Sequence, residues 1–231
     1  MQFYLLTSEK DKRSYHPLYV WYSEKYRTQV TNPLPRCPEC GRSLGYKFKP
    51  PYFVDLEVYK NYYADVTPTI SGQLFVSQSF KDCYEKSGLT GLVAINPVTV
   101  STFKQKGPAK RAKLPPLPNF YIADPQPLGL ATDHELSSTE FYIGDEPTCK
   151  YCRFGGTMRY KKIILDDTNW KGDDIFRLLS IGGEIAVDQK FKEWYDANKF
   201  TGCTFTPTEE DSCDFVPGKT PQQYYDQHFK K

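Results

Sequence analysis

Apolar and polar residues alternate with a period of two in "YFVDLEVY", residues 52–59, as in a strand with one buried face. Short apolar runs follow in "QLFVS" (73–77), "LVAI" (92–95), "EIAVD" (184–188) and "CTFTP" (203–207), each predicting a strand, as does "YKKIILD" (160–166). Two segments change to a helical period. "SQSFKDCYEKSG" (77–88) puts Phe80, Cys83 and Tyr84 at i, i+3 and i+4, and "DQKFKEWYDANK" (188–199) does the same with Phe191, Trp194 and Tyr195. "GDDIFRLLS" (172–180) reads as a further short helix, with Asp173 or Asp174 capping its first turn and favoured there by the helix dipole. "NFYIADPQPLG" and "SSTEFYIGDEP" read as strands around Pro-marked turns. The opening "MQFYLLTSEKDKRSY" predicts a strand; it has neither the basic nor the long apolar region of a signal peptide.

These segments come in pairs. Displacing the chain by 111 residues lays residues 53–92 over 164–203 without a gap, with eleven identities that include Asp55/Asp166, Ile70/Ile181, Gly72/Gly183, Phe80/Phe191, Tyr84/Tyr195, Thr90/Thr201 and Gly91/Gly202. The expected fold is therefore α+β, with two related β-α-β-α-β halves arising from an internal duplication. The first half spans 1–103 and the second 120–231, joined by a basic, Pro-rich linker or loop at 104–119 into one compact unit.

Cysteine spacing adds chemistry. Four of the seven cysteines form two CxxC pairs, Cys37/Cys40 in "CPECG" and Cys149/Cys152 in "CKYCRFGG", offset by 112 residues, close to the repeat distance. A CxxC turn presents two sulfurs on one side of an ion, and two such turns complete a tetrahedral thiolate set. Structural zinc bound by Cys37, Cys40, Cys149 and Cys152, clipping the halves together, is the favoured reading. A redox pair would open an amphipathic helix after a buried strand, and neither motif does; surface turns without a ligand are the other alternative. Cys83 and Cys203 take the slots of Trp194 and Leu92 in the opposite repeat and read as small core residues. Cys213 has no assigned role.

Charge and remaining motifs exclude more than they suggest. Net charge is +2, which disfavours a strongly basic nucleic-acid binder. Residues 124–231 hold 19 Asp and Glu against 13 Lys and Arg, whereas 104–123 hold five Lys and Arg and no acid. No run of 18 apolar residues suits a membrane span, and the chain reads as cytoplasmic. His16, His134 and His228 stand in no catalytic spacing, and "TDHE" (132–135) reads as a turn. There is no Walker loop, dinucleotide fingerprint or nucleophile elbow, so no enzyme is expected.

Two CxxCG-type motifs about a hundred residues apart, in a chain of this length, resemble the double-CXXCG-motif immunity proteins of bacterial polymorphic toxin systems. The stretch "DIFRLLSIGGEIAVDQKFKEWYDANKFTGCTFTP" is similar to that family's C-terminal signature, and "LFVSQSFKDCYEKSGLTGLVAINPV" to the strand–helix–strand of broader immunity families. One position departs from the pattern: the second motif has Arg153 where the family has glycine. The resemblance implies a cytoplasmic antidote that occludes a cognate protein toxin with a preformed surface. The acidic second half suggests a basic toxin such as a nuclease, met by Asp173, Asp174, Glu209 and Glu210. The alternative is a zinc-containing nucleic-acid-binding protein acting through Lys110, Arg111 and Lys113 of the 104–119 segment.

Overall fold

The computed structural model describes residues 1–9, 18–23, 32–33, 36–44, 46–69, 71–111, 113–181 and 183–228. His16 and Ile70 lie outside them. Among the described residues the fold is mixed α/β, with three α-helices, sheets of six, four and three strands, and two two-stranded ribbons. The helices are α1 (Gln78–Ser87), α2 (Gln189–Ala197) and α3 (Pro221–His228). α1 and α2 begin alike: the side chains of Ser77 and Asp188 accept the N–H of Phe80 and Phe191, each satisfying a donor of the first turn.

The expected β-α-β-α-β order is not the one found. "GDDIFRLLS" is a strand, Ile175–Arg177, followed by a turn, and it forms an antiparallel hairpin with Ile185–Asp188. All three of its residues are buried. A segment covered on every side loses its polar face, so its period cannot separate strand from helix. Val66–Pro68 forms the corresponding hairpin with Leu74–Ser77. "YKKIILD" is likewise no continuous strand: pairing is confined to Thr157–Tyr160 and Leu165–Asp166. The segment 104–119 is anchored at several points. Lys104 and Gln105 end the long strand Leu92–Gln105, Ala109 in the 3-10 turn Gly107–Arg111 is fully buried, and Pro115 O accepts the Tyr63 hydroxyl.

Both halves share one strand order, and each is completed by the other half's leading strand. In the first, Val66–Pro68, Leu74–Ser77, Phe120–Pro125 and the start of Leu92–Gln105 lie side by side. In the second the order is Ile175–Arg177, Ile185–Asp188, Phe3–Ser8 and Cys203–Pro207. Phe3–Ser8, at the chain's beginning, thus sits inside the second half's sheet, and Phe120–Pro125 inside the first half's. The registers agree. Tyr121 opposes Val76 on one side and Pro97 on the other, while Tyr4 opposes Val187 and Pro207. Each tyrosine hydroxyl donates to the first residue of the adjacent helix, Tyr121 to Gln78 and Tyr4 to Gln189.

Between the two sheets lies the main core. Phe80 and Tyr84 of α1 meet Phe191, Trp194 and Tyr195 of α2, with Phe80 and Phe191 ring centroids 6.5 Å apart. Burial of these rings is the main favourable term holding the halves together, on the order of 2 kcal/mol per large side chain. Reciprocal polar contacts fix the pose. Asp174 accepts the Thr90 N–H and hydroxyl, and Asp65 accepts the Thr201 N–H and hydroxyl. The Tyr84 hydroxyl accepts Leu92 N–H within the first half, as the Tyr195 hydroxyl accepts Cys203 N–H in the second.

Candidate metal centre

The CxxC turns are built alike. Gly41 N–H donates to Cys37 O at 2.9 Å and Arg153 N–H to Cys149 O at 3.0 Å, closing each turn on the residue after its second cysteine. That residue has positive φ in both turns, 68° at Gly41 and 48° at Arg153. Glycine adopts this conformation without strain, whereas a side chain costs about 1 kcal/mol. Arg153 offsets the cost with an ion pair to Asp166 and donation to the carbonyls of Thr132 and Lys150. The departure from a CxxCG pattern thus leaves the turn's geometry intact.

The turns face each other across the halves. Cys37 Sγ lies 3.7 Å from Cys149 Sγ, and Cys40 Sγ 3.8 Å from Cys152 Sγ. All four sulfurs fall within 4.8 Å of one another. These are not disulfides, whose sulfurs would stand about 2.05 Å apart. They do match the edge of a tetrahedron: four sulfurs about 2.3 Å from a shared centre are about 3.8 Å apart. The donor set therefore fits one metal ion bound by thiolates, with both halves contributing two ligands.

Backbone amides aim at the sulfurs. Burial pushes the Cys37 thiol up, but the N–H groups of Cys40 and Glu39 and the neighbouring thiols outweigh it and bring its pKa to about 7. Burial raises Cys152 to about 12 against the Phe154 N–H, with the other three thiols adding to the rise. At Cys40 the Arg42 N–H pulls down, yet burial and the Cys37 and Cys149 thiols leave it raised. Four bare thiols packed this closely resist full ionisation at neutral pH; a cation at their centre supplies the missing compensation.

Further side chains brace the centre. Arg42 of the first turn crosses to donate to Phe154 O at 2.9 Å, its guanidinium 5.6 Å from the Phe154 ring. His134 Nε2 lies 2.7 Å from Arg153 O, an atom that only accepts, so Nε2 carries the proton; burial holds this imidazole below its usual pKa. Leu44, Ala131 and Leu179 pack around the buried sulfurs. Cysteine spacing pointed to the four ligands, but nothing local in sequence pairs Arg42 or His134 with them.

The other expected site residues do not converge. Glu209 and Glu210 are exposed on the 3-10 turn Thr208–Glu210. Asp173 is half-buried. Asp174 is buried, committed to Thr90 and paired with Lys190 at 3.1 Å, so it caps no helix and its carboxylate offers no free contact surface. Cys203 is packed beside the Tyr195 ring in the main core, and Cys213 lies on the short strand Cys213–Asp214. No helix among the described residues is long and apolar enough to cross a membrane. Compared with protein-family models and with curated proteins, the chain matches none.

Proposed function

We propose that this chain is an immunity protein of a bacterial toxin system, a cytoplasmic antidote whose structural zinc locks two duplicated halves into one rigid binding surface. The observation that carries the reading is the cysteine cluster: four protein sulfurs lie within 4.8 Å of one another, two of the pairs at the edge length of a tetrahedral thiolate site. A zinc ion held this way keeps no position for substrate, so its contribution is structural, and the chain acts through its surface rather than through chemistry at the metal. Cys37, Cys40, Cys149 and Cys152 would hold the ion, which would supply the positive charge that keeps all four as thiolates. Matching pairing orders and reciprocal Asp–Thr contacts support duplication as the origin of the halves. The resemblance of the paired CxxC turns to double-CXXCG immunity proteins supplies the activity: binding of a cognate toxin by steric occlusion.

Of the four acidic residues suited to a basic partner by sequence, Glu209 and Glu210 are exposed and Asp173 is half-buried, whereas Asp174 is buried. The deciding experiment is co-expression with the C-terminal domain encoded by the adjacent upstream gene in a sensitive host. Restored growth with a stable complex is expected. Toxicity that persists in the presence of this chain overturns the reading. Elemental analysis of protein purified without chelator should give about one zinc per chain; less than about half refutes the zinc assignment.

A further inference from the structure

The C-terminal element beyond the two related halves forms a groove of its own. α3 starts with a reciprocal cap: Thr220 N–H donates to Gln223 Oε1 and Gln223 N–H to Thr220 Oγ1, with Pro221 at the first helical position. No residue of α3 is buried. The helix rests on the second half through Tyr224, whose ring lies 4.9 Å from that of Tyr142. The Arg159 guanidinium ties down the preceding loop at Lys219 O. Between α3 and the turn at 142–145 is a groove of about 360 Å³, lined by Tyr142, Ile143, Asp145, Tyr224 and Tyr225. Ile143 is 40% and Tyr225 37% exposed, so the lining is open to solvent.

Three tyrosine rings and one carboxylate around a small groove are the chemistry of an organic-cation site. Ring faces attract a guanidinium or ammonium, and the carboxylate neutralises it. Asp145 carries no ion pair or side-chain hydrogen bond among the described residues, although its backbone is fixed by Tyr142 O and Gly156 N–H. Charges of both signs surround it: Glu146 follows it and Asp226 lies on α3, whereas Asp214, close enough to help burial and Tyr224 raise the Tyr142 hydroxyl's pKa, is paired with Arg159 at 3.5 Å, and His228 stacks on Tyr224 with ring centroids 4.2 Å apart.

We propose that this groove seats an arginine or lysine side chain of the basic protein partner. This rests on the antidote reading and gives its interface an anchor, as buried aromatic and charged contacts commonly dominate binding. The measurement is calorimetric titration of the full chain with hexa-arginine, and with hexaglutamate as control. Saturable hexa-arginine binding is expected, weakened about tenfold by Tyr225→Ala and by Asp145→Asn and retained by Tyr225→Phe, which keeps the ring. Absence of saturable binding, or unchanged binding in Tyr225→Ala, overturns the proposal. Neither Tyr225 nor Asp145 is in the core, so folding is expected to survive; circular dichroism of each variant checks this. The two readings fail separately. Hexa-arginine binding with the expected variant pattern, in a chain that gives no protection from the toxin, upholds the groove and removes the antidote. Full protection by Tyr225→Ala removes the groove as anchor and leaves the antidote standing.

Discussion

Gly91 and Gly202 occupy the same place in the two halves, just after α1 and α2, at φ +100° and +104°. A Cβ at Gly91 would stand 2.0 Å from Ile175 O, and one at Gly202 2.2 Å from Val66 O, so each half presses a bare backbone turn against the hairpin of the other. At the metal turns the equivalence of residue type breaks: Gly41 in the first half corresponds to Arg153 in the second, in the same left-handed conformation. The contrast separates two demands on a glycine. Where backbone meets backbone, no side chain fits in either half. At Gly41 nothing lies within 4 Å of an added Cβ, so only backbone strain opposes a side chain, and contacts elsewhere can offset it.

The strongest test of the equivalence is the cysteine cluster, to which the halves contribute equally. Cys152 is fully buried and Cys40 exposed, so Cys40→Ser and Cys152→Ser would differ widely if burial alone mattered. If one ion is shared, both variants lose it. Chelation of the wild type then lowers Tm by about 10 °C or more, because the ion's binding energy to the folded chain is lost. Elemental analysis with differential scanning calorimetry checks this. Metal retained at full occupancy in Cys40→Ser would show that Cys40 is not a required ligand and would break the equal sharing of the ion between the halves.

Next in size is the glycine pair. Gly91→Ala and Gly202→Ala are each expected to cost more than about 2 kcal/mol, because a carbonyl of the opposite half must move as well as a strained φ being imposed. Chemical denaturation reads the difference. Nearly equal losses support the halves as equivalent partners across one interface. A loss confined to one glycine would show that one hairpin docks loosely.

The two helices and the alternating strand Tyr52–Val58 were legible because their side chains have one wet face, which leaves a period in the sequence. Ile175–Arg177 was not, because burial on every side erased that period. The exchange of Phe3–Ser8 and Phe120–Pro125 was hidden for another reason. Both strands can be recognised locally, but a strand's sequence does not name its neighbour, and their separation of 117 residues falls outside the gapless repeat at 111. The same gap concealed Asp65 and Asp174 as counterparts, since they are 109 residues apart. The four-cysteine cluster was legible because metal-binding geometry constrains spacing within each turn. Arg42 and His134, which brace it across the fold, obey no such local constraint.

The smallest effect, and the sharpest on the comparison, comes from exchanging residue types at the metal turns. Gly41→Ala forces a Cβ into the left-handed region with no contact to offset it, and should cost about 1 kcal/mol. Arg153→Gly relieves the same strain but removes the Asp166 ion pair and two donations to carbonyls. The pair is about a quarter exposed, which limits its worth to about 1 kcal/mol, so the two changes should nearly cancel. Adding Asp166→Ala to each background separates the terms. If the arginine is retained for its contacts, Asp166→Ala is more damaging in the wild type than beside Arg153→Gly, by the energy of the ion pair. Equal damage in both would mean that Arg153 holds its strained turn without help from Asp166, and that the second half tolerates at its metal turn what the first half avoids by using glycine.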